Sequence, residues 1–256
     1  MMNTRRSIAL TLLLAVMTLL PSAASAAFKN ETLRYVISYK WGLVHKDAGD
    51  ATLTLRNSGG NYNIILTAKT KPWADKFFTV RDTLRSVVKI AGLKPLSYVK
   101  STHEGGKYAR DVIKYSYAGN NVVANCDRIK EKKGKISKSH KRLSSSGPSY
   151  DMLSIFYYLR SINFDKMKKN TIYKATVFSG KQVETIAMRN MGVETIKLRD
   201  KRQVKAYHIR FNFTSNGKKK SSADMHTWIS TDARHIPLLL EGDLPVGKIK
   251  CYYVGG

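Results

Sequence analysis

From Leu33 to Trp41 apolar and polar residues alternate. Leu33, Tyr35, Ile37, Tyr39 and Trp41 share one face, and Arg34, Ser38 and Lys40 largely fill the other. A period of two is that of a strand with one face buried. The pattern returns at Ala51, Leu53 and Leu55 and at Tyr62, Ile64, Leu66 and Ala68, on either side of Asn57-Ser58-Gly59-Gly60, a hairpin turn. Further strands are predicted near 77–90, 95–103, 107–117, 121–130, 172–178, 181–190, 193–199, 203–214, 224–231, 235–241 and 247–254. Gly105-Gly106, Gly119-Asn120-Asn121, Ser179-Gly180, Met191-Gly192 and Ser215-Asn216-Gly217 separate them as turn chemistry. A meander this long must curl or close to bury its apolar face. The predicted fold is therefore mainly β, a large curved antiparallel meander sheet or incomplete barrel.

One segment breaks the rhythm. After Ser144-Ser145-Ser146-Gly147-Pro148, the run 149–162 carries Met152, Leu153, Ile155, Phe156, Tyr157 and Leu159 at helical spacing, with Ser149 placed to cap and Asp151 in the first turn. Its polar stripe, Asp151, Ser154 and Ser161 with the Tyr158 hydroxyl, is narrow, so most of the circumference must be covered. This central helix is predicted to lie in the curved sheet.

Charge and the N-terminus change the picture. Arg5 and Arg6, the apolar run from Ile8 to Leu20 and Ala24-Ser25-Ala26 have the pattern of a secretory leader. Residues 1–26 are expected to be removed near Ala26, leaving 27–256 as a single all-β exported domain, periplasmic or secreted. The chain's 45 Lys and Arg face 18 acids, and without the two arginines of the leader the balance is +25. The densest basic stretch runs from Arg128 to Arg142 and overlaps an expected mobile loop at about 130–148. Lys130, Lys132, Lys133 and Lys135 are its candidate anion-binding residues. Outside the cytoplasm they point to lipid headgroups, lipopolysaccharide or acidic envelope polymers rather than nucleic acid, with peripheral membrane contact. The competing reading is a solvated loop that keeps the protein soluble. Cys126 and Cys251 suit either a disulfide or two buried thiols.

Catalytic patterns are missing. The six histidines form no H-E-x-x-H or H-x-H motif, and no metal or cofactor is implied. Asp224 and His226 share a strand face, more simply as structural groups than as ligands. No G-x-S-x-G elbow or Gly-rich phosphate loop occurs, so the protein is read as a non-enzyme. Trp73, Phe77 and Phe78 follow Pro72 and suit the mouth of an apolar pocket, although plain core would use them equally. With Phe156 and Arg160 of the helix they are the candidate ligand-binding residues.

Val80-Arg81-Asp82-Thr83-Leu84-Arg85-Ser86, Leu93-Lys94-Pro95-Leu96-Ser97-Tyr98 and Glu104-Gly105 resemble the exported bacterial family described as domain of unknown function 3108. Asp151-Met152-Leu153-Ser154-Ile155-Phe156-Tyr157-Tyr158-Leu159-Arg160 is similar to its central helix, and Trp228-Ile229-Ser230-Thr231-Asp232 with Pro237 and Gly247 to its final hairpins. The resemblance implies a periplasmic, largely β protein with no established activity. The last hairpins are also similar in style to the LolA-like lipoprotein carriers, which hold acyl chains beneath a helix. The resulting expectation is a non-catalytic binding protein holding a hydrophobic or lipid-like anionic ligand between sheet and helix. The alternative is an assembly or scaffold protein docking an acidic envelope protein or glycan. A third reading, a hydrolase, requires Asp151, Asp82 or His226 to meet another polar group in a cleft.

Overall fold

The computed structural model describes residues 28–180, 182–215, 219–220, 223–243 and 247–256. The leader pattern of residues 1–26 lies outside the described residues. In chain order the strands are β1 (Glu31–Trp41), β2 (Val44–Ser58), β3 (Asn61–Thr70), β4 (Val80–Lys89), β5 (Lys94–Glu104), β6 (Lys107–Ala118), β7 (Asn121–Lys132), β8 (Lys135–Ser146), β9 (Ser149–Tyr150), β10 (Ile172–Phe178), β11 (Val183–Lys197), β12 (Gln203–Ser215), β13 (Lys219–Lys220), β14 (Met225–Ser230), β15 (Pro237–Asp243) and β16 (Lys248–Gly255). A short helix α1 (Pro72–Asp75) lies between β3 and β4, and α2 (Ser154–Ser161) between β9 and β10.

All strands belong to one sheet. Its order is β8-β7-β6-β5-β4-β3-β2-β1-β16-β15-β14-β12-β11-β10-β9, with β13 on β12. β1 therefore sits mid-sheet, paired on one side with its hairpin partner β2 and on the other with β16. Every pairing is antiparallel except β9 on β10. The two end strands, β8 and β9, come together at Ser145 Oγ and Ser149 Oγ, 2.7 Å apart, so the sheet curls into a nearly closed barrel.

The alternating apolar positions form the inner face. Leu33 of β1, Leu53 and Leu55 of β2, Tyr62 and Ile64 of β3, Tyr98 of β5, Ile113 of β6 and Ile209 of β12 are buried there together with Ile155 and Tyr157 of α2. Burying each such side chain contributes roughly 1.5–3 kcal/mol. The space directly beneath the helix is filled by these residues.

Three sequence expectations need correction. The helix begins later than 149, because Ser149 and Tyr150 pair with Thr176 and Val177 of β10. Asp151 takes the capping role instead of Ser149. Its carboxylate accepts the backbone N–H groups of Leu153 and Ser154 at 2.8 and 2.7 Å and the hydroxyl of Ser86. It is fully buried, not on an outer stripe, and burial pushes its carboxyl above the ordinary carboxylate range.

The basic segment 130–148 is a hairpin rather than a loop: β7 runs to Lys132 and β8 from Lys135 to Ser146. Residues 131–142 are exposed throughout, so solvent on both faces left no period-two signal to read. Finally, the two strands expected at 181–190 and 193–199 are replaced by one, β11 (Val183–Lys197), in which Met191-Gly192 forms a register shift against β12 instead of a turn, residue 181 lying outside the described residues. Gly192 supplies the positive φ of 107° that this bulge requires. The tip of the β11–β12 hairpin reaches the opposite side of the sheet, where Arg199 Nη1 and Nη2 lie 2.6 and 2.8 Å from the carboxylate of Asp47.

Candidate functional site

Because the sheet is an up-and-down meander, alternate turns collect at opposite ends of the barrel. One end holds the start of β1, the turns at 59–60, 90–93, 119–120 and 147–148, and the 231–236 turn. Helix α2 lies at this end, between the 91–93 turn and Arg234. The far rim holds the turns at 42–43, 71–79, 105–106 and 133–134.

This parity divides the candidate ligand residues. Phe156 and Arg160 are at the helix end, whereas Trp73, Phe77 and Phe78 are on the far rim. Trp73 is held by its indole N–H, which donates to the Asp47 carbonyl at 2.8 Å, with Lys46 above the ring. Phe77 and Phe78 are exposed. Phe78 lines a shallow far-rim pocket of about 630 Å³ with Lys130, Lys132 and the paired Asp111 and Arg128, so one aromatic does meet two of the four candidate anion-binding lysines. Lys133 lies in a neighbouring depression with Lys107 and Tyr108, and Lys135 follows it across the turn.

The larger opening is beside α2, a cleft of about 1350 Å³. Arg160 anchors its floor. The guanidinium is almost fully buried, grips the carboxylate of Glu31 in β1, and donates to the Arg234 carbonyl at 3.0 and 3.2 Å. It also packs over the rings of Phe28, Phe156 and Tyr157 at 5.0, 5.8 and 5.2 Å. Phe28 is tied down by its own N–H, which donates to Tyr62 Oη at 2.8 Å. Arg160 is thus a structural keystone whose donors are already engaged. Lys29 and Lys166 stand exposed at the mouth, together with Arg56, which donates to the Glu31 and Leu55 carbonyls at 2.9 and 3.0 Å, and Arg234, which lies 3.4 Å from the Asp232 carboxylate.

Apolar walls come from Phe28, Leu33, Tyr158, Ile162 and Tyr173. The cleft's carboxylates, Glu31 and Asp165, are both occupied: Asp165 accepts the Tyr207 hydroxyl at 2.6 Å, and with burial this pushes the phenol up to about 12. No local sequence pattern marks this cleft. Residues 28–33, 56, 158–166 and 233–235 are scattered, and only counting turns around the meander brings them to one end.

The candidate catalytic groups end in structural bonds. Asp151 caps α2, and Asp82 faces Glu104 on neighbouring strands. His226 Nδ1 lies 2.7 Å from His208 Nε2, whose other nitrogen meets Glu194 at 2.8 Å, with Trp228 stacked on both rings. Asp224 instead accepts from Asn212. Among the described residues no three His, Cys, Asp or Glu gather into a metal-holding group. Cys126 and Cys251 are both free thiols on separate strands.

Residues 34–253 match the family described as a protein of unknown function, DUF3108. The chain belongs to that family. The DUF3108 fold also matches the crystal structure of a β-barrel-like protein of a domain of unknown function, DUF1849, from Brucella abortus, with a TM-score of 0.60 over 89% of this chain and 96% of that one. At 11% identity this shows a shared barrel-like fold alone. No curated protein matches the sequence. These comparisons lend no support to the LolA-like likeness, and they name no enzymatic relative for the DUF3108 chain.

Proposed function

We propose that the protein is a non-catalytic binding protein of the bacterial periplasm, reached after removal of residues 1–26, and that it holds an anionic amphiphile in the cleft beside α2. The supporting observation is the cleft's composition: Lys29, Arg56, Lys166 and Arg234 ring a mouth whose two side-chain carboxylates are engaged, Glu31 by Arg160 and Asp165 by the Tyr207 hydroxyl, above the apolar surfaces of Phe28, Leu33, Ile162 and Tyr173. The head of such a ligand meets Arg and Lys donors, and its chain gains about 0.8 kcal/mol for each buried methylene. The ligand sits beside the helix instead of beneath it, since Tyr62, Tyr98 and Tyr157 fill the space below. Native mass spectrometry of protein isolated from the cell envelope without detergent should show a lipid-mass adduct that Arg56→Glu with Arg234→Glu removes. Repeatedly empty wild-type protein contradicts the reading.

A further inference from the structure

The far rim has a chemistry of its own. Eight large hydrophobic residues are exposed among the described ones, and Trp41, Leu43, Phe77, Phe78 and Ile136 all stand on or beside far-rim turns. Leu43 and Phe77 are 105% and 82% exposed, and Phe77 meets the ring of Trp73 edge-on with centroids 6.2 Å apart.

These turns form a continuous row. The 71–79 connection joins the β1–β2 hairpin through Lys71 N–H to the Ala48 carbonyl at 2.8 Å and through Trp73 to Asp47. Phe78 lies against Gly105, where an added Cβ would come within 2.5 Å of its ring. Gly106 and Lys107 then share a depression with Lys133 and Gly134 of the β7–β8 turn. Exposed lysines stand between the apolar tips: Lys40, Lys46, Lys76, Lys107, Lys133 and Lys135. Of the nearby acids, Asp47 pairs with Arg199, Asp50 with Lys71 and Asp75 with Arg81, while the exposed Glu104 and Glu131 lie among Lys107, Lys130, Lys132 and Lys133.

We infer that the far rim docks on an anionic phospholipid bilayer, with the apolar tips entering the interfacial layer and the lysines meeting headgroup phosphates. Apolar side chains raised on separate turn tips, each flanked by long cationic side chains, suit a fluid surface that closes around them. An acidic protein would satisfy the lysines but leave the isolated tips without sockets. The attraction of each lysine to the headgroups is screened by salt, whereas insertion of the tips is not. The cleft faces the opposite end, so docking leaves it open, and the two proposals stand or fall separately.

The test is co-sedimentation of the full mature chain with phosphatidylcholine vesicles, with and without phosphatidylglycerol. Binding is expected only with phosphatidylglycerol and is expected to weaken with salt, and brominated acyl chains should quench tryptophan emission more strongly in wild type than in Trp41→Phe, which keeps Trp73 on the same rim. The triple variant Leu43→Ser, Phe77→Ser and Ile136→Ser alters exposed side chains only and should lose about tenfold or more in partitioning. Lys133→Glu with Lys135→Glu provides an independent loss through charge. Equal binding by the triple variant, unquenched Trp41, or no preference for phosphatidylglycerol overturns the inference, and a complex with an acidic protein in place of vesicle binding overturns it as well. None of these variants touches the cleft, so ligand affinity there should be unchanged.

Discussion

Arg160 and Glu31 meet across 129 positions of sequence, Nη2 lying 3.1 Å from Oε2, and so pin the central helix to β1, in the middle of the sheet. The Arg160 side chain is 1% exposed and that of Glu31 20%, which places the pair where losing one partner strands a buried charge. Arg160→Ala should therefore cost about 3 kcal/mol or more in denaturant unfolding, with Glu31→Gln costing less because Gln still accepts one guanidinium hydrogen bond. A variant as stable as wild type would show that α2 is held by apolar packing alone.

Asp82 titrates in an unusual range. Burial, and then the neighbouring Glu104, push its carboxyl from the ordinary 3.8 up to about 6. The folded state holds this proton more tightly than the unfolded chain, so its contribution is most favourable below pH 4 and is lost as the pH rises through 6. Asp82→Asn removes that dependence. Thermal melts from pH 4 to 7.5 should show the Tm of wild type falling relative to that of the variant, and parallel curves would refute the assignment.

Most of the sheet was legible in the sequence because one face of each strand is core and the other solvent, as in β1, where Leu33 and Tyr35 alternate with Arg34 and Lys40. β8 escaped because nothing covers either face of Lys135–Arg142, so its pairing with β7 has no apolar signature. β11 was divided because a glycine bulge and a glycine turn look alike until the partner strand is known. Asp151 looked like a surface residue of an amphipathic helix, but its partners Ser86 and the chain start of α2 come from elements 65 residues apart. The grouping of Trp73, Phe77 and Phe78 with Phe156 and Arg160 ignored turn parity, which sends the two sets to opposite ends. The cleft cations at 29, 56, 166 and 234 share no local pattern at all.

Burial governs the two thiols. Cys251 is pushed up to about 11 by desolvation, and burial also raises Cys126. Native protein should resist a thiol-specific reagent at pH 8, while denaturation without reductant should release two reactive thiols per chain. Absence of reactive thiols after denaturation would indicate a disulfide and contradict the free pair.

Gly180 combines a φ of +93° with a close approach to the buried Asp111, whose Oδ2 would lie 2.8 Å from an added Cβ. Gly180→Ala should destabilise by about 1–3 kcal/mol through strain and displacement of the Asp111–Arg128 pair, measurable as a lower denaturation midpoint. An unchanged midpoint would mean that this connection moves freely.

The cleft is tested most directly by calorimetric titration of the mature protein with dodecyl phosphate below its micelle concentration, alongside the uncharged dodecyl maltoside. Saturable binding of the phosphate alone is expected, weakened about tenfold or more by Arg56→Glu with Arg234→Glu and untouched by Leu43→Ser on the far rim. Equal affinity in the double arginine variant, or equal binding of the maltoside, would contradict it.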